Sequence, residues 1–179
     1  MKRFLLLILI VSFNISAAEQ AITQWVYNTL ERAQANLDKG NLEAAERIYY
    51  DYANDTWSSR SYDHFVILRT YAYFLISYDR NEEALKYLRQ ASLKRDMPPY
   101  DIFELNFTLG QVYYVNGDRE NAKKTLLKWV AIGEKNDLDL KPEGYAILAT
   151  IYAQDEEWGN ALKFITLAID NSYKFVEDW

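Results

Sequence analysis

The sequence predicts an all-α fold, an array of about four antiparallel helical hairpins, and three observations carry that reading. Small residues recur in pairs twelve apart: Ala33 and Ala45, Ala72 and Ala84, Gly110 and Ala122, Ala149 and Ala161. Successive pairs are separated by 39, 38 and 39 residues, a period that belongs to stacked helical hairpins. Each pair also straddles a turn-forming stretch: "DKGNLEAA", "YDRNEEA", "NGDRENA" and "QDEEWGNA". Packed helix axes approach to roughly 8–10 Å only where facing side chains lack bulk. Gly110 and Ala122 are therefore expected to mark the closest level of the third hairpin, with Leu109, Tyr113 and Leu126 at helical spacing beside them.

Taken in chain order, the first element is not part of the array. "MKRFLLLILIVSFNISAA" has a basic start, an apolar run from Phe4 to Phe13 and small residues at 16–18, the pattern of a secretory signal peptide cleaved after Ala18. The run is shorter than the ~20 residues that span a bilayer. Helices are then expected near 20–38 and 42–54, 62–78 and 81–94, 101–116 and 119–135, and 142–154 and 158–171. The intervening "NDTWSSRS", "KRDMPP" and "KNDLDLKP" carry turn formers, and Pro98, Pro99 and Pro142 suit helix starts, where a missing N–H costs nothing. Residues 19–179 read as one domain, with repeats near 20–56, 62–97, 101–136 and 142–172.

Composition narrows the function classes. Without Lys2 and Arg3, 18 basic face 26 acidic residues, a net charge of −8. That balance makes nucleic acid and anionic lipid poor partners. The absence of cysteine removes disulfides, thiolate metal sites and a lipid-anchored N-terminal cysteine, leaving apolar packing to hold the exported domain together. His64 is the only histidine and reads as a polar residue at a helix start. The acidic stretches at 116–121 and 154–160 lack the alternating ligands and terminal Glu of a calcium loop; they suit turns and helix N-termini, where negative charge is favoured. No phosphate loop or nucleophile elbow occurs. The reading is a non-enzyme with no cofactor and no metal.

The repeats resemble the tetratricopeptide family. Its loose pattern is matched in the third repeat by Leu109, Gly110, Tyr113, Ala122 and Leu126, in the fourth by Tyr145, Leu148, Ala149, Tyr152, Ala161, Ile165 and Ala168, and in the second by Leu68, Tyr71, Ala72, Leu75, Ala84, Leu88 and Ala91. The first repeat is degenerate, and the third departs with Asn106 and Trp129. The resemblance implies a right-handed superhelix whose first helices line a concave groove for a protein or extended peptide. By register the groove takes Val66, Arg69, Tyr73 and Ile76; Glu104, Phe107, Gln111 and Tyr114; and Glu143, Ala146, Thr150 and Gln154. Tyr73, Phe107 and Tyr114 would form an aromatic strip of the kind favoured at binding hot spots, unless they pack on neighbouring helices. The family's clamp for a C-terminal carboxylate is missing, because its key position holds Gln34, Tyr73, Gln111 and Thr150.

Stretches such as "LERAQANLDKGNLEAAERI" and "ALKFITLAIDNSYKFVEDW" are similar in texture to exported tetratricopeptide proteins encoded beside TonB–ExbB–ExbD systems of Gram-negative bacteria. This implies a periplasmic, non-catalytic adaptor for energised outer-membrane transport. The alternative is a periplasmic holdase or outer-membrane assembly factor. Two local expectations follow. Trp129 should lie over Gly144, its bulk accommodated by the absent side chain. After a turn at Asp170-Asn171-Ser172, residues 175–179 should begin a fifth hairpin, because Trp179 falls 34 residues after Tyr145, so the chain is expected to continue.

Overall fold

A computed structural model describes residues 21–55 and 61–177; the signal-peptide segment and Trp179 lie outside them. Eight helices follow one another among the described residues: α1 Gln24–Asp38, α2 Leu42–Asn54, α3 Ser61–Ser77, α4 Asn81–Ser92, α5 Pro99–Val115, α6 Arg119–Asn136, α7 Pro142–Gln154 and α8 Trp158–Glu177. They pair as four hairpins in an α-solenoid.

The four hairpin turns are one motif made from different residues. Gly40, Asp79, Gly117 and Glu156 occupy the same register, seven after the small residue of each first helix, and all have φ between 60° and 79°. The N–H of the next residue then reaches back to the carbonyl five residues earlier: Asn41 to Asn36, Arg80 to Leu75, Asp118 to Tyr113 and Glu157 to Tyr152, at 2.8–2.9 Å. This is the Schellman ending, which satisfies carbonyls that a helix terminus otherwise leaves open. The side chains of Asn41 and Asp118 then cap the second helix, accepting from Ala44 N at 3.4 Å and Asn121 N at 3.2 Å. Pro99 and Pro142 open α5 and α7 at their first turn, as the sequence expects.

The paired small residues are all inside: Ala33, Ala45, Ala72, Ala84 and Ala122 are fully buried, and Gly110, Ala149 and Ala161 nearly so. The partner of Gly110 is more specific than the sequence suggests. A Cβ there would stand 2.6 Å from Cγ of Leu126, so the glycine admits the leucine one turn beyond Ala122. Trp129 is completely buried, and a Cβ on Gly144 would lie 2.4 Å from its Cζ3. The indole does lie over the glycine. It stacks on Phe103 at 5.5 Å, lies tilted against Phe107 at 5.2 Å, and meets Tyr145 edge-on at 5.7 Å.

The expected turn at 170–172 is absent. α8 runs unbroken to Glu177, so residues 175–177 continue it and start no fifth hairpin. Asn171 Nδ2 donates to Leu167 O at 2.8 Å, and Ser172 Oγ donates to Ile169 O at 2.7 Å. Turn-prone side chains that bond back onto their own helix give the backbone no reason to leave it, and neither Gly nor Pro breaks the run.

Two substitutions test this packing. Gly144→Ala should cost about 1–3 kcal/mol by overpacking, and most of that cost should vanish in a Trp129→Leu background. Urea denaturation of the four proteins in the cycle measures the coupling; additive effects would contradict the contact. Glu156→Gly should stabilise by about 0.5–1 kcal/mol, because a non-glycine residue is strained in the left-handed region. A thermal midpoint unchanged or lowered by this substitution would contradict the strain.

Candidate partner-binding face

The first helices α1, α3, α5 and α7 stand side by side, and buried carboxylates stitch them. Asp63 and Asp101 occupy equivalent positions in successive repeats and are 5% and 7% exposed. Asp63 accepts from the N–H and Oγ1 of Thr23 at 3.0 and 2.9 Å, tying α3 to the start of α1. Asp101 accepts from Tyr62 OH at 2.9 Å and from Arg69 Nη1 at 2.5 Å, tying α5 to α3. At the last joint the polarity reverses: Lys141 donates to Glu104 at 2.8 Å, and its ammonium stands 4.6 Å over the Phe107 ring. Buried carboxylates persist only when their oxygens are satisfied: Asp101 is ion-paired with Arg69, and Asp63 accepts two hydrogen bonds from Thr23.

These pairs decide which of the expected groove residues face out. Arg69 and Glu104 are committed to their partners. Val66 and Phe107 are buried, each 8% exposed, which corrects their placement on an open groove. Phe107 fills the gap beside Trp129 under Lys141, so the aromatic strip is broken at its centre. Ile76 and Tyr114 are half-buried against the core, and Gln111 and Ala146 are half-buried. Tyr73 remains 38% exposed and accepts from Thr108 Oγ1 at 3.4 Å. Crowding by the helices, opposed by Arg69 and reinforced by Glu104 and Asp101, raises the Tyr73 phenol above its ordinary pKa. Glu143, Thr150 and Gln154 are exposed; Gln154 lies at the hairpin-turn edge, where its Oε1 accepts from Arg119 at 3.2 Å.

The structure thus gathers Arg69, Tyr73, Glu104 and Phe107 around Asp101 and Lys141. Tyr62, Asp63, Asp101 and Lys141 escaped the sequence reading, although a signal existed: Tyr-Asp stands at both 62–63 and 100–101, one period apart.

His64 is held as a neutral ring. Its Nε2 lies 3.1 Å from Ala53 O and must donate, so Nδ1 accepts from Lys94 Nζ at 2.8 Å. The acidic turn residues serve the joints: Asp155 and Glu157 bind Lys123. Among the described residues no group of three or more His, Cys, Asp or Glu is placed to hold a metal, and no helix is long and apolar enough to cross a membrane.

Comparison with known proteins bears on the architecture. Two crystal structures of MamA, a tetratricopeptide-repeat protein, superpose with TM-scores of 0.64 and 0.62 at 18% and 16% identity. Both alignments cover 85% of this chain, and 81% and 75% of the MamA chains. The fold is that of a tetratricopeptide-repeat array. In sequence, the chain is 29% identical to pre-mRNA-splicing factor 6 of Saccharomyces cerevisiae across 60% of its own length and spans only 11% of that protein. No family model matches. In the tetratricopeptide register, the stitched carboxylates fall where the first helices of neighbouring repeats meet.

Burial, and then the Lys94 charge, hold the His64 pKa below its ordinary value, outweighing the Ala53 bond and Asp55. The folded state therefore binds this proton less readily than the unfolded chain. The stability contribution is complete above the unfolded pKa of ~6.5 and is lost as pH falls through the lower folded value. Thermal melts between about pH 7 and 5 should show a steeper acid decline for the wild type than for His64→Gln; parallel declines would exclude His64 as the source.

Proposed function

We propose that the chain is a non-catalytic periplasmic scaffold that binds a protein or extended peptide across the face formed by α3, α5 and α7, as an accessory to a TonB-type energy-transduction system. The single observation that carries the binding reading is this face. An ion-paired floor of Arg69, Asp101, Glu104 and Lys141 carries Tyr73 on α3, with Gln111 on α5 half-buried and Glu143 and Thr150 on α7 exposed. A preorganised floor beside the exposed rings of Tyr73 and Tyr100 suits recognition, since little is lost to ordering on binding. The export reading rests on the signal pattern of residues 1–18, and the transport system on the textural resemblance.

Partner capture from periplasm tests it. Tyr73→Ala combined with Gln111→Ala should reduce recovery of a specific partner about tenfold, with the thermal midpoint unchanged; equal recovery would exclude this face. The second reading, a holdase, is favoured by one observation, the exposure of Trp158 and Leu162 at 66% and 68%. It demands that the protein suppress light scattering by several unrelated unfolded outer-membrane proteins, whatever stands at position 73.

A further inference from the structure

Three chain segments meet at His64, in the first turn of α3, and fix its ring from both sides. Nε2 donates to Ala53 O near the end of α2 at 3.1 Å, so the Nδ1 lone pair faces Lys94 Nζ, 2.8 Å away. Lys94 stands two residues beyond α4. Its own N–H donates to Ala91 O at 3.0 Å, which holds the backbone in a further turn. Base and amine therefore sit on main chain that other contacts have already placed.

No second lysine has such a partner, because His64 is the only histidine. Lys123 and Lys141 hold carboxylates, and Lys86 and Lys163 stand over aromatic rings at 5.1 and 5.5 Å. Among the described residues no ion pair uses Lys94. An amine in hydrogen-bond reach of a base, itself oriented by a third group, is the arrangement that activates a nucleophile. Burial also lowers the Lys94 ammonium below its ordinary pKa, which raises the share of neutral amine. Both side chains are only half-buried, so a small reagent can reach the nitrogen.

We propose that Lys94 is an acyl-acceptor site, whose amine takes an acyl group from a small acyl phosphate while His64 receives the amine proton. The nitrogen attacks the carbonyl carbon and forms the C–N bond, and Nδ1 takes a proton from the resulting ammonium. The carbonyl re-forms as the C–O bond to phosphate breaks, its electron pair leaving with the phosphate. His64 then returns the proton to the released phosphate, so the products are an Nε-acyl-lysine and inorganic phosphate. Ala53 O accepts from Nε2 throughout and stabilises the transient imidazolium. A neutral imidazole accepts a proton but supplies none to a departing group. The donor must therefore carry a group that leaves as a stable anion, as phosphate does. The site uses nothing of the Tyr73 face and is independent of the scaffold reading.

Acetyl phosphate is the probe, applied to the full mature chain in mildly alkaline buffer. Digestion at glutamates and mass spectrometry give the acetylation rate at each lysine. Lys94 should react at least about tenfold faster than the exposed Lys39 and Lys128. His64→Gln should bring Lys94 down to the rate of Lys39 and leave Lys39 and Lys128 unchanged. A second measurement needs no substitution. The ratio of the Lys94 rate to the Lys39 rate should fall as pH drops through the titration of His64, followed by its own imidazole resonance. The charged groups facing that ring are Lys94 and Asp55, and the carboxylate stays ionised across this range. Equal rates at Lys94 and Lys39 in the native chain would overturn the proposal. So would an advantage that survives His64→Gln, which would assign it to burial alone, or a ratio indifferent to the His64 titration. If the variant loses its helices by circular dichroism, the pH profile of the unsubstituted chain decides.

Discussion

The joints around α6 depend on one helix lacking a side chain where its neighbour carries a large one. An interior glycine costs about 1 kcal/mol relative to alanine in an isolated helix, yet three stand inside helices at crowded places. Gly110 admits Leu126, Gly133 admits Leu140 and Phe103, and Gly144 admits Trp129, with the nearest atom of each partner under 3 Å from a virtual Cβ. Burial of an aliphatic or aromatic side chain is worth roughly 1.5–3 kcal/mol, so the exchange favours the fold. With no disulfide available, these fitted contacts fix how closely the hairpins stack, and with it the line of the first-helix face.

That closeness explains why the face is polar at its centre and sparing in exposed apolar surface. When α6 and α7 approach near enough for Trp129 to reach Gly144, Phe107 is drawn under the indole and Lys141 closes over it. The charged groups there are spent on one another: Arg69 on Asp101, Lys141 on Glu104. On the proposed scaffold reading a partner would meet a neutralised floor, and selectivity would fall to Tyr73 and the polar side chains on the same face.

The fold was legible because its constraints are periodic. Eight small residues, four turns and the Trp129–Gly144 exception could each be read against a repeat, and each turned out to be a packing or backbone requirement. The site was less legible for the same reason. Register places Val66 and Phe107 on the open face, but register describes an average repeat, and at Phe107 one oversized residue, Trp129 on the neighbouring helix, reverses the exposure. At Asp170-Asn171-Ser172 the residue types were read as a turn, although without glycine or proline nothing prevents their side chains from bonding back to the helix.

The order of the hairpins is written in charge as well as in shape. At the first joint Glu46 on α2 binds Arg80 of the next turn at 2.6 Å. At the third, the same two positions hold the opposite signs, with Lys123 on α6 binding Glu157 at 3.5 Å and also Asp155. At the middle joint they are Leu85 and Asp118, and Asp118 is used instead to cap α6. Exposed pairs of this kind add little stability, typically under about 1 kcal/mol, so their value lies elsewhere. Hairpins of nearly equal length and common packing could stack out of sequence during folding. Were α6 to seat the second hairpin in place of the fourth, Lys123 would meet Arg80; were α2 to seat the fourth, Glu46 would meet Glu157. Each misplacement turns an attraction into a repulsion, and the native order is the arrangement in which the charges at the first and third joints find their opposites.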